Sequence, residues 1–375
     1  MIVHVFNASV VSGPETLVIP ALPALGEPST VVFLSETRCG DFSQEPPAYA
    51  RSFGLRVEEV TVRSRWDRQA VRDLAALFER LGPRVVHAHE VKAAAYVAAA
   101  APSPRAYRLF ATNHGVRSKR RPLPQFYEWL FTHVIMRRFD RVLTVCSSDR
   151  KILIRRGVPP EKLAVHLNGI DQPKIPLAIQ PDRAREIRTQ WGLPARGIPP
   201  ESTVLGVVGR LSPEKRHGYI LEVLVCLKNP EIHLVVFGRG PLEAALKQAT
   251  AAHGLEGQVH WMGYRGTVGA EMAGFDVLLS LSRYEGLPIN VIEAGWAGTP
   301  VLATAVDGNL DLMPTPDFGL LFPVHAPVAR VAEGLRGWLE NPTRRKAAGL
   351  ALQGRVESQF SRAIWLRRLR ELYGP

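Results

Sequence analysis

A two-domain α/β protein, each domain a doubly wound and mostly parallel sheet, is predicted by three observations. Short apolar runs alternate with longer helical patterns through most of the chain. The alternation halts in one stretch rich in proline and charge and then starts again. At 375 residues the chain is also too long for one ordinary hydrophobic core.

In the first half, IVHVF (2–6), VVFLS (31–35), RVVHAHE (84–90), YRLFATNH (107–114) and RVLTVCS (141–147) read as buried strands. They are too short for helices, rich in β-branched residues, and apolar on both faces. VRDLAALFERLG (71–82) has the apolar spacing of an amphipathic helix and closes on glycine just before a strand. The proline- and charge-rich stretch QPKIPLAIQPDRAREIRTQWGLPARGIPPEST follows HLNGID and reads as a linker plus the entry helix of a second domain. The second half then repeats the plan: TVLGVVGRLS (203–212), EIHLVVFGRG (231–240), QVHWMGY (258–264), DVLLSLS (276–282) and TPVLATAV (299–306) are its strands. Two Rossmann-like domains facing a central cleft are the expected architecture, with boundaries at 1–172 and 173–358. The last segment, 359–375, is a helix expected to pack back on the N-terminal domain.

Composition narrows the class of function. The formal charge is +12, and between Arg105 and Lys162 fourteen Lys/Arg face only four Asp/Glu. That local excess points to an anionic partner: phosphate, nucleic acid or a lipid surface. The N-terminus lacks the basic n-region of a secretory signal, and the longest small-apolar run, AAAYVAAAAP, is too short to span a bilayer. Cys39, Cys146 and Cys226 lie far apart without metal-ligand spacing, as reduced thiols in a cytoplasmic chain would.

Chemistry is sought just after the strands, because open parallel sheets bind ligands at the carboxyl ends of their strands. After TVLGVVG come Arg210 and Lys215 in GRLSPEKR; after EIHLVVF come Gly238, Arg239 and Gly240; after DVLLSLS comes RYEGLPINVIEA. Two cations, a glycine turn and a helix start near Pro288 would suit a diphosphate. Glu293, within that helix and among apolar neighbours, needs hydrogen-bond donors such as a ribose diol. Glu285, in the turn with Gly286 and Leu287, would face the opposite end of the diphosphate. His87 and His89 share one strand face, but without carboxylates arranged as ligands no metal site is expected.

Glu285 and Glu293, separated by seven residues in EGLPINVIE, resemble the E-x7-E signature of family 4 retaining glycosyltransferases, whose fold is GT-B. VVGRLSPEK resembles the family's phosphate-binding Arg…Lys element, FGRGPLE its glycine turn, VHWMGY the strand before the nucleotide base, and ATNHG the segment whose histidine faces the donor sugar. The resemblance implies donor contacts by Arg210, Lys215, Gly238, Arg239, Gly240, Glu285, Gly286, Leu287, Pro288 and Glu293, and catalytic roles for His114, Glu285, Arg210 and Lys215. Two departures stand out: VDGNLDLM, with Asp307 and Asp311, where the family has a Gly-Gly pair and then Glu, and the single Gly13 in VVSGPETL where two glycines are common.

The expected reaction moves a sugar from a nucleoside diphosphate sugar to a hydroxyl acceptor, a glycan or lipid-linked glycan, with retained configuration. No cofactor is expected, and no metal, since no Asp-x-Asp motif is present. Gly13, Arg117, Lys119, Arg120 and Arg121 are assigned to the acceptor side, the basic run also suiting peripheral contact with an anionic membrane at its inner face. Two other classes stay open. A nucleic-acid-binding protein would interleave stacking aromatics with its cations, whereas the aromatics here fall at core-like positions, so no nucleic acid is expected. A glycosidase would use Glu285 and Glu293 as its carboxyl pair, which leaves Arg210 and Lys215 unexplained.

Overall fold

The computed structural model describes residues 1–11, 13–37, 44–114, 129–171, 181–266 and 268–374. The basic run Arg117, Lys119, Arg120 and Arg121 lies outside the described residues, as do Cys39 and residues 172–180 of the proline- and charge-rich stretch. The chain divides into two compact units, Met1–Gly169 with Arg362–Pro375, and Ile170–Ser361.

In the first unit, β1 (Ile2–Phe6), β2 (Ser29–Glu36), β3 (Arg56–Val62), β4 (Val85–His89), β5 (Arg108–Asn113), β6 (Arg141–Thr144) and β7 (Leu163–Val165) form a seven-stranded sheet in the order β3-β2-β1-β4-β5-β6-β7. Every pairing in it is parallel. β1 and β4 are buried at every residue, as strands covered by helices on both faces must be. β3 and β7 are not among the strands read from sequence. β3, RVEEVTV, is a charged edge strand with only Val60 and Val62 buried, and β7 has three residues. The periodic helix is Arg68–Leu81: the Asp67 carboxylate accepts from Gln69 and Ala70 N–H at its start, and left-handed Gly82 closes it. The helix Arg362–Tyr373 buries Trp365, Leu366, Leu369 and Tyr373, and the Arg370 guanidinium donates to Leu25 O at 2.8 Å.

In the second unit, β8 (Thr203–Val208), β9 (Ile232–Phe237), β10 (Val259–Gly263), β11 (Val277–Ser280), β12 (Val301–Thr304) and β13 (Leu320–Phe322) pair in the order β10-β9-β8-β11-β12-β13, again all parallel. The order reverses between β8 and β11, so the chain leaves these two neighbours in opposite directions and opens a crevice beyond their carboxyl ends. No helix among the described residues is long and apolar enough to cross a membrane.

The loop after β8 is pinned to the loop after β9, backbone on backbone. Gly209 N–H donates to Phe237 O at 2.9 Å, Leu211 N–H to Arg239 O at 3.0 Å, and Leu242 N–H to Leu211 O at 3.1 Å. So close an approach leaves no room for a side chain: a Cβ on Gly238 would lie 1.9 Å from Gly209 O, and Gly238 has φ +151°. Gly238→Ala is therefore expected to lose about 1–3 kcal/mol to the forced contact and about as much again to backbone strain. Gly254, at φ +65° with nothing within 4 Å of its Cβ position, should lose only the backbone part on conversion to alanine. Urea denaturation of both variants checks this; equal losses would refute the steric argument.

Candidate functional site

The crevice between the ends of β8 and β11 brings together residues seventy positions apart. Arg210 follows the glycine that ends β8 and points its side chain into solvent. The chain then tightens into the turn Pro213–Lys215, from which Lys215 Nζ reaches Glu285 Oε1 at 2.6 Å. Both side chains are sheltered, at 23% and 11% exposure, so water screens the pair less than a surface bridge. Its two frames are joined as well: Arg283 N–H donates to Glu214 O at 2.8 Å, and Asn290 Nδ2 to Val208 O at 2.8 Å. Asn290 did not stand out in the sequence, since its role is visible only once the helix lies beside β8.

Glu285 is followed by the turn Gly286–Leu287–Pro288, in which Leu287 is buried, and then by the helix Ile289–Trp296. Pro288 is the N-cap, and among the described residues no side chain caps the first turn, whose leading amides have no intrahelical acceptor, as at any helix start. The departing segment VDGNLDLM packs on this turn: a Cβ on Gly308 would sit 2.1 Å from Gly286 O. Asn309 ties the same segment to Thr304 O at 2.9 Å. Gly240 answers a similar need, its Cβ position lying 2.4 Å from Leu211 O, while Arg239 beside it is exposed. Close backbone approach therefore accounts for both glycines of the GRG turn.

Glu293 is half-buried in that helix between buried Ile292 and Ala294. Its Oε1 fills the space beside Gly269, 3.0 Å from where a Cβ would stand. Among the described residues its carboxyl has no hydrogen bond or ion pair, and burial pushes it up to about 7. Lys215 and Glu285 neutralise each other, whereas Glu293 is a carboxyl still lacking donors.

In the first unit, His114 follows β5, and its Nε2 lies 3.4 Å from His89 Nδ1. Burial lowers His114 to about 4. His87 and His89 stack at 4.3 Å between ring centroids, both buried. His4, which the sequence reading passed over as part of a buried strand, joins them at 3.1 Å from His89. Nitrogens of His4, His87 and His89 lie within 4.8 Å of one another. Yet His87 already bonds Tyr373 Oη at 2.5 Å and Thr112 Oγ1 at 2.7 Å, and His89 uses both nitrogens on imidazoles. Gly13 opens the short helix Gly13–Val18, exposed.

Comparison with known proteins follows this geometry. The profile described as "Glycosyl transferases group 1" matches residues 193–352, and that described as "Glycosyltransferase Family 4" matches residues 18–172. A 2-deoxystreptamine glucosyltransferase of Streptomyces kanamyceticus is 32% identical over 181 residues, 45% of each chain. An Escherichia coli UDP-Gal:alpha-D-GlcNAc-diphosphoundecaprenol alpha-1,3-galactosyltransferase is 26% identical over 252 residues, 65% of this chain and 63% of that one. The chain thus matches between about half and under two thirds of the length of these relatives. The fold of Anabaena Alr3699/HepE, solved in complex with UDP, superposes with a TM-score of 0.84 at 18% identity over 99% of this chain and 98% of that one. By both profiles and by fold, the chain belongs to the family 4 glycosyltransferases, with the GT-B fold.

Proposed function

We propose that this protein transfers a sugar from a nucleoside diphosphate sugar to a hydroxyl acceptor, with the anomeric configuration retained and without a metal ion. The observation that carries the reading is the Lys215–Glu285 pair at the point where the strand order of the second sheet reverses, with the unpartnered Glu293 side chain in the helix that follows Glu285.

The donor diphosphate binds at the uncapped N-terminus of the helix Ile289–Trp296, where amide N–H groups and the helix dipole favour an anion. Arg210 and Lys215 add full positive charge. Lys215 has three donors and keeps one on Glu285 while the others reach phosphate. Glu285, bonded to Lys215, accepts from a hydroxyl of the transferred sugar, and His114 hydrogen-bonds a substrate hydroxyl. Glu293 accepts from the ribose diol. Breaking the sugar–phosphate bond builds charge on the leaving phosphate, which Arg210 and Lys215 stabilise. A phosphate oxygen takes the acceptor proton as the acceptor oxygen attacks the same face. These cations do the neutralising that a metal does elsewhere. A glycosidase role fits less well, because Lys215 already occupies the carboxylate that would attack.

The basic N-terminal half supports a glycan or lipid-linked acceptor held near an anionic surface, and the E. coli relative is named for a diphosphoundecaprenol acceptor. Thermal shift against UDP, GDP, ADP and their sugars tests the donor reading. A true donor at a hundred times its dissociation constant should stabilise by about 2.7 kcal/mol; no response to any nucleotide would sink it.

Glu293 gives a pH-dependent prediction. Its folded pKa is raised, so its contribution to the stability of the unliganded protein is full below the ordinary carboxylate range and is lost as pH rises through about 7. Glu293→Gln should therefore melt higher than the parent at pH 8, by up to about 3 kcal/mol in stability. The same change should weaken the nucleotide by about 1.5–3 kcal/mol. In the parent, affinity for a nucleotide sugar, whose diphosphate does not titrate here, should climb from pH 5.5 and level off near 7, with proton release. Calorimetry in two buffers reads this directly, and affinity independent of pH would take Glu293 out of the ribose site.

Arg210→Ala should lower kcat by about 10²–10³ in steady-state assays, more than it weakens binding. A rise in KM alone would make Arg210 a ground-state anchor. Turnover should also survive excess EDTA, and loss that magnesium restores would overturn the metal-free mechanism.

A further inference from the structure

His114 is the open end of a row of three imidazoles. His4 Nδ1 lies 3.1 Å from His89 Nε2, and His89 Nδ1 lies 3.4 Å from His114 Nε2. The row has two unlike ends. His4 Nε2 is sealed in the core with no partner, His4 being 0% exposed. His114 Nδ1 has no partner among the described residues either, but His114 stands at the half-buried mouth of the strand.

A neutral imidazole carries one N–H and one lone pair, so each contact forces the next ring's tautomer. Only two arrangements satisfy both contacts. In one, every ring is protonated at Nε2, which leaves an N–H of His4 orphaned in the core. In the other, every ring is protonated at Nδ1, which leaves only a lone pair there. Orphaned buried donors are the rarer and costlier of the two, which selects the second. A charged ring is no way out, since burial holds His4 down to about 3 and His114 to about 4. The sealed end also means that a proton taken up at His114 cannot be passed along the row.

We propose that His89, backed by His4, is a positioning residue that locks His114 as a neutral imidazole with its proton on Nδ1, so that His114 donates a fixed hydrogen bond to a substrate oxygen and does not serve as a base. Phe6, stacked on His89 at 4.2 Å between centroids, holds the middle ring in place. The inference rests on the reading above that His114 meets substrate, but the lock itself does not depend on it.

The test is imidazole ¹H–¹⁵N NMR of the full chain, labelled at histidine, at pH 7 without nucleotide, with His114→Gln used to assign the signals. His114 should show one neutral tautomer, protonated at Nδ1. In His89→Phe it should become a mixture, and kcat should fall by about tenfold, the equivalent of one net hydrogen bond, with KM for the donor unchanged. His4→Phe should loosen His114 in the same sense, and it serves if His89→Phe does not fold. A parent His114 protonated at Nε2, or signals unmoved in the variants, overturns the lock. If that happens in a protein that still transfers sugar, transfer stands and only the lock falls. A locked His114 in a protein that binds no nucleotide supports the lock and removes the transfer reading.

Discussion

Parallel strands whose order reverses send their connections to opposite faces, and at that one place neither connection can cover the strand ends. In the second unit the place is between β8 and β11. Four of the residues proposed to hold the donor hang there: Arg210 and Lys215 because they follow β8, Glu285 and Glu293 because they follow β11. The backbone seam between the β8 and β9 loops then fixes how far Arg210 can move from the crevice. A glycine that looks like a ligand-binding feature is in this way also a hinge pin for the cations.

The site is electrically economical. Lys215 and Glu285 cancel, so the unliganded crevice keeps Arg210 exposed beside an uncapped helix start and a carboxyl that burial has raised to about 7. In the proposed reading, an incoming diphosphate meets positive potential with little opposing charge from Glu293, and a diol arriving with it supplies the donors that favour ionisation. The pairing of a quiet ground state with groups that respond to the ligand follows from burial, not from any single residue type.

Much of this was legible in the sequence because the signals were local. Buried strands announce themselves as unbroken apolar runs, and the turn residues after β8 and β11 carry charges at fixed offsets. β3 was lost because an edge strand tolerates Arg and Glu at positions that imitate a surface loop, and β7 and β13 because three residues make no pattern. Asn290 and Gly308 were not legible, because their partners, Val208 O and Gly286 O, are far away in sequence. His4 was hidden for the opposite reason. It stands in so apolar a run that nothing marked it as polar machinery until β1 and β4 were paired with His4 beside His87.

The helix Arg362–Tyr373 completes the first unit, where Tyr373 bonds His87 and its carbonyl accepts from Arg108. The first unit is thus assembled from two separated stretches, with the whole second unit inserted between them in the chain. Domains usually fold in the order in which they leave the ribosome. Here the first unit is complete only after residues 362–375 have followed the whole of residues 170–361. During that interval the imidazole row lacks the tyrosine at its flank, and the sheet face around His87 is bare. Until that helix arrives, the uncovered face of the first-made half is apolar surface of the sort through which incomplete chains associate.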